Sequence, residues 1–205
     1  MAARAVPPLV LVTDRRAARD GALVPAVRAA LDAGLPAVQL REKDLSGRAL
    51  FALAEELRAL TAAAGALLVV NDRADIACAV GADGVHLPGG GLPVDVARRV
   101  LPAGALVGVS THAPGEAAGA DYAFFGPVWD TPSKAAIGPP QGPEALRRAV
   151  AAAGGVPVLA IGGVTPARVD EARAAGAAGV AVIAAILGAA DPGAATRALL
   201  AALAR

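Results

Sequence analysis

Short apolar runs alternate with longer alanine-rich stretches along nearly the whole chain. Eight such runs stand out: LVLVTD from Leu9, AVQLRE from Ala37, LLVVND from Leu67, GVHLP from Gly84, LVGVST from Leu106, YAFFGPV from Tyr122, VPVLAIGG from Val156 and GVAVIAA from Gly179. Continuous apolar runs of this length mark strands buried on both faces, as in a parallel sheet. The stretches between them carry helix signals. Ser46 precedes a segment to about Ala63 with Leu50, Leu53, Leu57 and Leu60 at helical spacing. Thr165-Pro166 and Asp191-Pro192 each place a capping residue before a proline at the first helical position. Gly34, Gly81 and Gly176 stand where helices stop, each supplying a left-handed residue before the next strand. A phrase GAD or GAA recurs before the strands at Gly84, Tyr122 and Gly179, and reads as a repeated structural loop. Eight strand-then-helix units in one chain predict an α/β fold, a single (β/α)8 barrel with residues 1–205 as one domain.

In such a barrel the active site lies at the C-terminal ends of the strands. Those ends are rich in polar residues. They carry Thr13 and Asp14, then Gln39, Arg41 and Lys43, then Asn71, Asp72 and Arg73, then His86, then Ser110, Thr111 and His112. Solvated loop residues would explain a few of these, but not an amide or charge on nearly every early strand. Two loops are longer than the connections require: Pro88 to Leu92, and Trp129 to Pro143 with Thr131, Ser133 and Lys134. Hydroxyls plus a cation are a phosphate-gripping set. The seventh run ends in Gly162-Gly163 and the eighth in Ile183-Ala184. Loops after strands seven and eight form phosphate sites in this fold through exposed backbone N–H groups.

Composition narrows the classes. Apolar residues make up 56% of the 205, ample for one core. The net charge of +1 and the scarcity of aromatics argue against a nucleic-acid partner. No run is long enough to span a membrane, and prolines interrupt the N-terminus before any signal-like segment, so a cytoplasmic protein is expected. The lone Cys78, within ADIACAV, reads as a buried structural thiol. A homodimer is compatible with so alanine-rich a surface.

Taken together, the strand ends resemble the thiamine-phosphate synthase and TenI superfamily. The matching segments are Val38-Gln39-Leu40-Arg41-Glu42-Lys43, Asn71-Asp72-Arg73, Gly84-Val85-His86-Leu87, Gly108-Val109-Ser110-Thr111-His112, Thr131-Pro132-Ser133-Lys134 and Ala160-Ile161-Gly162-Gly163, collinear from Leu9 to Ile186. In the synthase a thiazole phosphate displaces pyrophosphate from a hydroxymethylpyrimidine pyrophosphate, with Mg2+ assisting. The resemblance implies that Gln39 and Asn71 contact the pyrimidine, while Arg41, Lys43, Ser110 and Lys134 hold the pyrophosphate. It further implies Asp72 as a magnesium ligand, Thr131 and Ser133 near the thiazole, and the backbone at Gly163 and Ile183-Ala184 on its phosphate. Small phosphate-bearing molecules are the partners so implied.

One departure matters. Where synthases typically carry a second magnesium-binding aspartate, this chain has Gly91 in Pro88-Gly89-Gly90-Gly91-Leu92-Pro93. The TenI branch also lacks it. Its thiazole tautomerases shift a proton on a carboxythiazole phosphate without a metal, and His112 matches their acid/base group. Asp72, Arg41, Lys43 and Lys134 speak for the synthase, and Glu42 or Asp95 remains open as a substitute ligand. The missing ligand tips the expectation toward the tautomerase, needing no cofactor, with the Mg2+-dependent synthase as the alternative. A non-catalytic thiazole- or thiamine-phosphate binder and another phosphate-binding barrel, such as an epimerase or indole-pathway enzyme, are the remaining rivals.

Overall fold

The computed structural model describes residues 6–111, 116–131 and 139–205. The eight apolar runs form eight parallel strands: β1 (Leu9–Val12), β2 (Ala37–Leu40), β3 (Leu67–Asn71), β4 (Gly84–Leu87), β5 (Leu106–Thr111), β6 (Tyr122–Phe125), β7 (Val158–Ile161) and β8 (Gly179–Val182). They pair in sequence order and close into a barrel. Closure is made by β1 against β8, with Leu9 opposite Val180 and Leu11 opposite Val182.

The helices are α1 (Leu23–Asp32), α2 (Gly47–Ala64), α3 (Ala74–Ala79), α4 (Val94–Val100), α5 (Gly142–Ala152), α6 (Val169–Ala174), α7 (Ala184–Leu187) and α8 (Pro192–Leu203). Two of the expected caps form: Ser46 Oγ accepts from Ala49 N at 3.3 Å, and Asp191 Oδ1 from Ala194 N at 2.9 Å. Thr165 departs from expectation and makes no side-chain cap. A 3-10 turn over Pro166–Arg168 intervenes before α6, and Arg168 N bonds the Thr165 carbonyl instead, at 2.9 Å. The β5–β6 connection departs as well. Its described part, 116–119, is turn rather than helix, because residues 112–121 give too short a span for a full crossover helix.

Strand residues alternate between two cores. Leu9, Leu11, Val38, Leu40, Leu68 and Val70 face outward into the layer shared with the helices. Val10, Val12, Ala37, Tyr122, Phe124, Leu159, Ile161 and Ala181 face inward and fill the lumen. The lumen is asymmetric, with its bulk supplied by β6 and β7. Across from Tyr122 stands Gly108, where a Cβ would run into the tyrosine ring.

The repeated GAD loop has a specific use. Asp83 Oδ2 accepts from Leu68 N at 2.8 Å and from Arg58 of α2 at 2.5 Å. Asp121 Oδ2 accepts from Val107 N at 2.6 Å and pairs with Arg98 of α4 at 2.9 Å. Each carboxylate thus satisfies an N–H at the start of the preceding strand and ties an outer helix to the barrel floor. Ala178 holds the equivalent place before β8 with its backbone, through Ala178 N to Val158 O at 2.8 Å. Cys78 is exposed, contrary to the buried thiol expected. The short α3 buries Ala74, Ile76 and Ala77, which leaves residue 78 on its outer side. Among the described residues no helix is long and apolar enough to cross a membrane.

Asp83→Ala is expected to destabilise the fold by about 3 kcal/mol, since it strands the Leu68 N–H and the half-buried Arg58 together. Asp121→Ala, at a more exposed pair, is expected to cost about 1 kcal/mol. Urea denaturation of the two variants checks both the size and the order.

Candidate active site

The inward register continues past the strand ends. Gln39 faces the lumen from β2, and residues 41 and 43 share its parity. Gln39, Arg41 and Lys43 accordingly line one cavity of about 360 Å³, together with Asn71 of β3, His86 of β4 and Ser110 of β5. Val12, Phe124, Ile161 and Ile183 supply its apolar wall. The sequence-predicted residues of β2 to β5 therefore converge.

Glu42, of opposite parity, turns away and anchors the loop. Its carboxylate, only 5% exposed, accepts Arg15 N at 3.0 and 3.2 Å and Arg15 Nη1 at 3.1 Å. Thr13 reinforces the tie, its N donating to Gln39 O at 2.9 Å and its Oγ1 accepting from Arg41 N at 2.8 Å. Arg15 reaches on to Asp44 at 2.5 and 2.7 Å, and this hydrogen bond holds the Asp44 carboxyl well below the usual carboxylate range. A depressed carboxyl stabilises the fold above its unfolded value and loses that contribution as pH falls through the folded one. The Arg15–Asp44 tie is therefore fully present at neutral pH. Glu42 is engaged by Arg15 and Asp95 by Arg99 at 3.2 Å, so each possible substitute metal ligand already has a cation of its own.

Within the cavity, Gln39 Nε2 donates to Asn71 Oδ1 at 3.1 Å. Gln39 Oε1 is buried and accepts from no protein group among the described residues. A buried amide oxygen without a donor costs about 1–3 kcal/mol, so it marks a place where a ligand donor belongs. His86 is buried, with its ring nitrogens at hydrogen-bond distance from Tyr122 Oη (3.2 Å) and Ser110 Oγ (2.9 Å). Its ring lies 4.4 Å from that of Phe124, centroid to centroid. Burial pushes the Tyr122 hydroxyl well above its ordinary range, so it stays protonated. His86 thus lines the cavity itself and also holds the Ser110 hydroxyl in place.

Asp72 follows β3 with φ of 65°, a left-handed conformation that Asp tolerates better than most residues. It lines a side cavity of about 300 Å³ that shares Lys43, Asn71 and Pro88 with the main one. The described residues contain no cluster of three or more His, Cys, Asp or Glu able to hold a metal. Gly91 closes a turn by donating its N–H to Pro88 O at 2.9 Å.

A second cavity of about 320 Å³ adjoins the first, sharing Ile161 and Ile183 with it. Gly162, Gly163, Thr131, Ile183 and Ala184 line it, as expected from the sequence. The β6 and β7 ends are laced together here, Val128 N to Ile161 O at 3.0 Å and Trp129 N to Gly162 O at 3.1 Å. Gly162 and Gly163 have φ of 94° and 67°, and a Cβ on either would strike the chain at Pro127 or Trp129–Asp130. The double glycine thus serves both the turn and the close loop contact. Arg168 also lines this cavity, and no periodicity or motif along the chain singles it out. His112, Ser133 and Lys134 lie outside the described residues.

Comparison with known proteins shows the family of the chain. Residues 9–186 match the family described as thiamine monophosphate synthase. A putative thiamine-phosphate synthase of Geobacter sulfurreducens is 52% identical over 200 residues, covering 95% of this chain and 93% of its own. A thiamine-phosphate synthase of Roseiflexus castenholzii is 47% identical, covering 92% and 85%. The solved thiamine phosphate pyrophosphorylase of Pyrococcus furiosus superposes with a TM-score of 0.84 at 36% identity, covering 96% and 95%. These relatives favour the synthase and lend no support to the tautomerase expected from Gly91. A glycine there is compatible with a synthase, because Mg2+ is ordinarily held by one or two carboxylates plus substrate phosphates.

Glu42→Ala is expected to cost about 2 kcal/mol in urea denaturation, with Glu42→Gln intermediate. The freed loop should also weaken inorganic pyrophosphate about tenfold in a calorimetric titration, because Arg41 and Lys43 lose their fixed direction.

Proposed function

The chain belongs to the thiamine monophosphate synthase family, and we propose that it acts as a thiamine-phosphate synthase. It would join a hydroxymethylpyrimidine pyrophosphate to a thiazole phosphate and release pyrophosphate. The observation that carries this reading is the pair of adjoining cavities with unlike linings. One combines amides with the cations of the β2 end, the other is mostly glycines, small apolar residues and backbone with Arg168 and Asp130 at its wall, and they meet at Ile161 and Ile183. A transferase needs two such places side by side; a tautomerase handling one thiazole phosphate needs one.

Each residue then has a chemical task. Gln39 Oε1 accepts from the exocyclic amine of the pyrimidine, and Asn71 fixes the Gln39 amide in that orientation. Arg41 and Lys43 hold the pyrophosphate, with Ser110 directed by His86. By resemblance to the family, Lys134 joins them, and Ser133 stands with Thr131 near the thiazole. The Gly162-Gly163 turn and Ile183-Ala184 seat the thiazole phosphate, with Thr131 beside them. A C–O bond to pyrophosphate breaks and a C–N bond to the thiazole forms, so negative charge gathers on the departing group, where the cations stand. Alignment of the two substrates across the shared wall supplies the other large part of the rate.

The residues fit a magnesium ion carried by the substrate rather than a protein-built metal centre. Asp72 would hold it with a single carboxylate, beside Lys43 and Asn71. When bound, the ion neutralises charge on the pyrophosphate. Gly91, which offers no side chain, is the observation that keeps the tautomerase as a second reading.

The deciding experiment is pyrophosphate release from the two substrates, with Mg2+ and then with EDTA. Turnover that needs Mg2+ is expected, falling about 10²-fold in Asp72→Ala. Gln39→Met should raise KM for the pyrimidine substrate about tenfold. No release, together with aromatisation of a carboxythiazole phosphate that requires His112 but not Asp72, would overturn the synthase in favour of the tautomerase.

A further inference from the structure

The second cavity has a side-chain cation that neither the barrel's strand-end pattern nor the family resemblance assigns. Arg168, on the 3-10 turn after β7, lines it together with Gly163, Thr165 and Ala184. Arg168 is the cation among the described lining residues, and Asp130 is the one carboxylate.

Its side chain is held from two directions. Arg168 Nη1 donates to Gly163 O at 2.6 Å, and the guanidinium lies 5.5 Å from the Trp129 ring centroid. Trp129 is itself fixed, its Nε1 donating to Glu171 Oε2 at 3.2 Å. A ring on one side and a carbonyl on the other leave the guanidinium little rotational freedom, so little entropy is lost when it meets an anion. The bond to Gly163 uses one of five N–H donors. Arg168 is only part-exposed, so a charge there is less screened than one on the open surface.

Backbone N–H groups favour an anion, and a fixed guanidinium adds a charge-assisted bond about twice as strong as one to a neutral oxygen. We propose that Arg168 is the phosphate-reading residue of the second cavity and makes the enzyme select a phosphorylated thiazole over the corresponding alcohol. Its contact with Gly163 O also sets the orientation of the Gly163–Val164 peptide, so the same side chain binds the anion and positions the loop beneath it. Asp130 sharpens the effect, since an anion enters this cavity only with the compensating charge in place. The assignment deepens the synthase reading and rests on it for the identity of the ligand.

The test uses three variants of the full chain. Arg168→Lys keeps a cation, Arg168→Gln keeps a donor for Gly163 O without the charge, and Arg168→Met keeps neither. Calorimetric titration with inorganic phosphate, with saturating pyrophosphate occupying the Arg41 and Lys43 cavity, reads the second cavity directly. Affinity is expected to fall about 30-fold in Arg168→Gln and Arg168→Met, and only a few-fold in Arg168→Lys. In steady state, KM for the thiazole phosphate should rise by a similar factor in the Gln variant, with kcat and KM for the pyrimidine substrate little changed. The preference for phosphate over alcohol should shrink to match. Wild-type phosphate affinity in Arg168→Gln would overturn the proposal. So would full rescue by Gln of a defect seen in Met, which would make the arginine a tie to the Gly163 carbonyl and nothing more. Failure of the synthase reading would appear differently: no turnover in the wild type, with the Arg168 dependence of phosphate binding intact.

Discussion

Closing β1 onto β8 leaves no strand edge unpaired, and it forces alternate residues of every strand into a lumen too narrow for water-filled space. That constraint organises everything above it. Below the strand ends the inward positions are apolar or small, with Tyr122, Phe124, Leu159 and Ile161 opposite Ala37, Gly108 and Ala181. At the top the same register delivers Gln39, Asn71, His86 and Ser110 to one mouth, where Arg41 and Lys43 join them. No side chain has to bend out of its strand to reach the site. The geometry follows from pleating and closure.

Polar groups placed so close to an apolar lumen require partners, and the way they find them divides support from function. His86 is held by Tyr122 and Ser110, Glu42 by Arg15, and Asp83 by Leu68 N and Arg58. These are closed circuits that stiffen loops and floor. Gln39 is different, with one end of its amide held by Asn71 and the other end open among the described residues. Among the described residues its Oε1 is the buried side-chain acceptor left without a donor, and it is the atom to which the proposed function gives the pyrimidine amine.

The two cavities recruit charge differently. In the first, the cations Arg41 and Lys43 come from the loop that directly follows β2 and is tied down through Thr13 and Arg15. In the second, the lining comes from turns after β6, β7 and β8, and the cation arrives from the 3-10 turn that replaces a regular helix start at Thr165. Arg168 ends that 3-10 turn, where its side chain meets the Gly163 carbonyl and the Trp129 ring.

The sequence by itself determined the barrel, because eight continuous apolar runs with capped helices between them have few other ways to be buried. It also placed Gln39, Arg41 and Lys43 together at the end of the second run, where a barrel strand opens to its catalytic face. The family was legible from motifs at those same strand ends, and Asp72, Thr131 and the Gly162-Gly163 turn stand where those motifs place them. What depended on distant segments meeting was hidden. Cys78 reads as buried in an apolar stretch, yet the packing of a short α3 puts it outside. The role of Arg168 needed Trp129 from the loop after β6 and Gly163 from the turn after β7 to come together, and Glu42 needed Arg15 from the loop after β1. Local pattern records which way a residue points, but only the closed barrel decides what it meets.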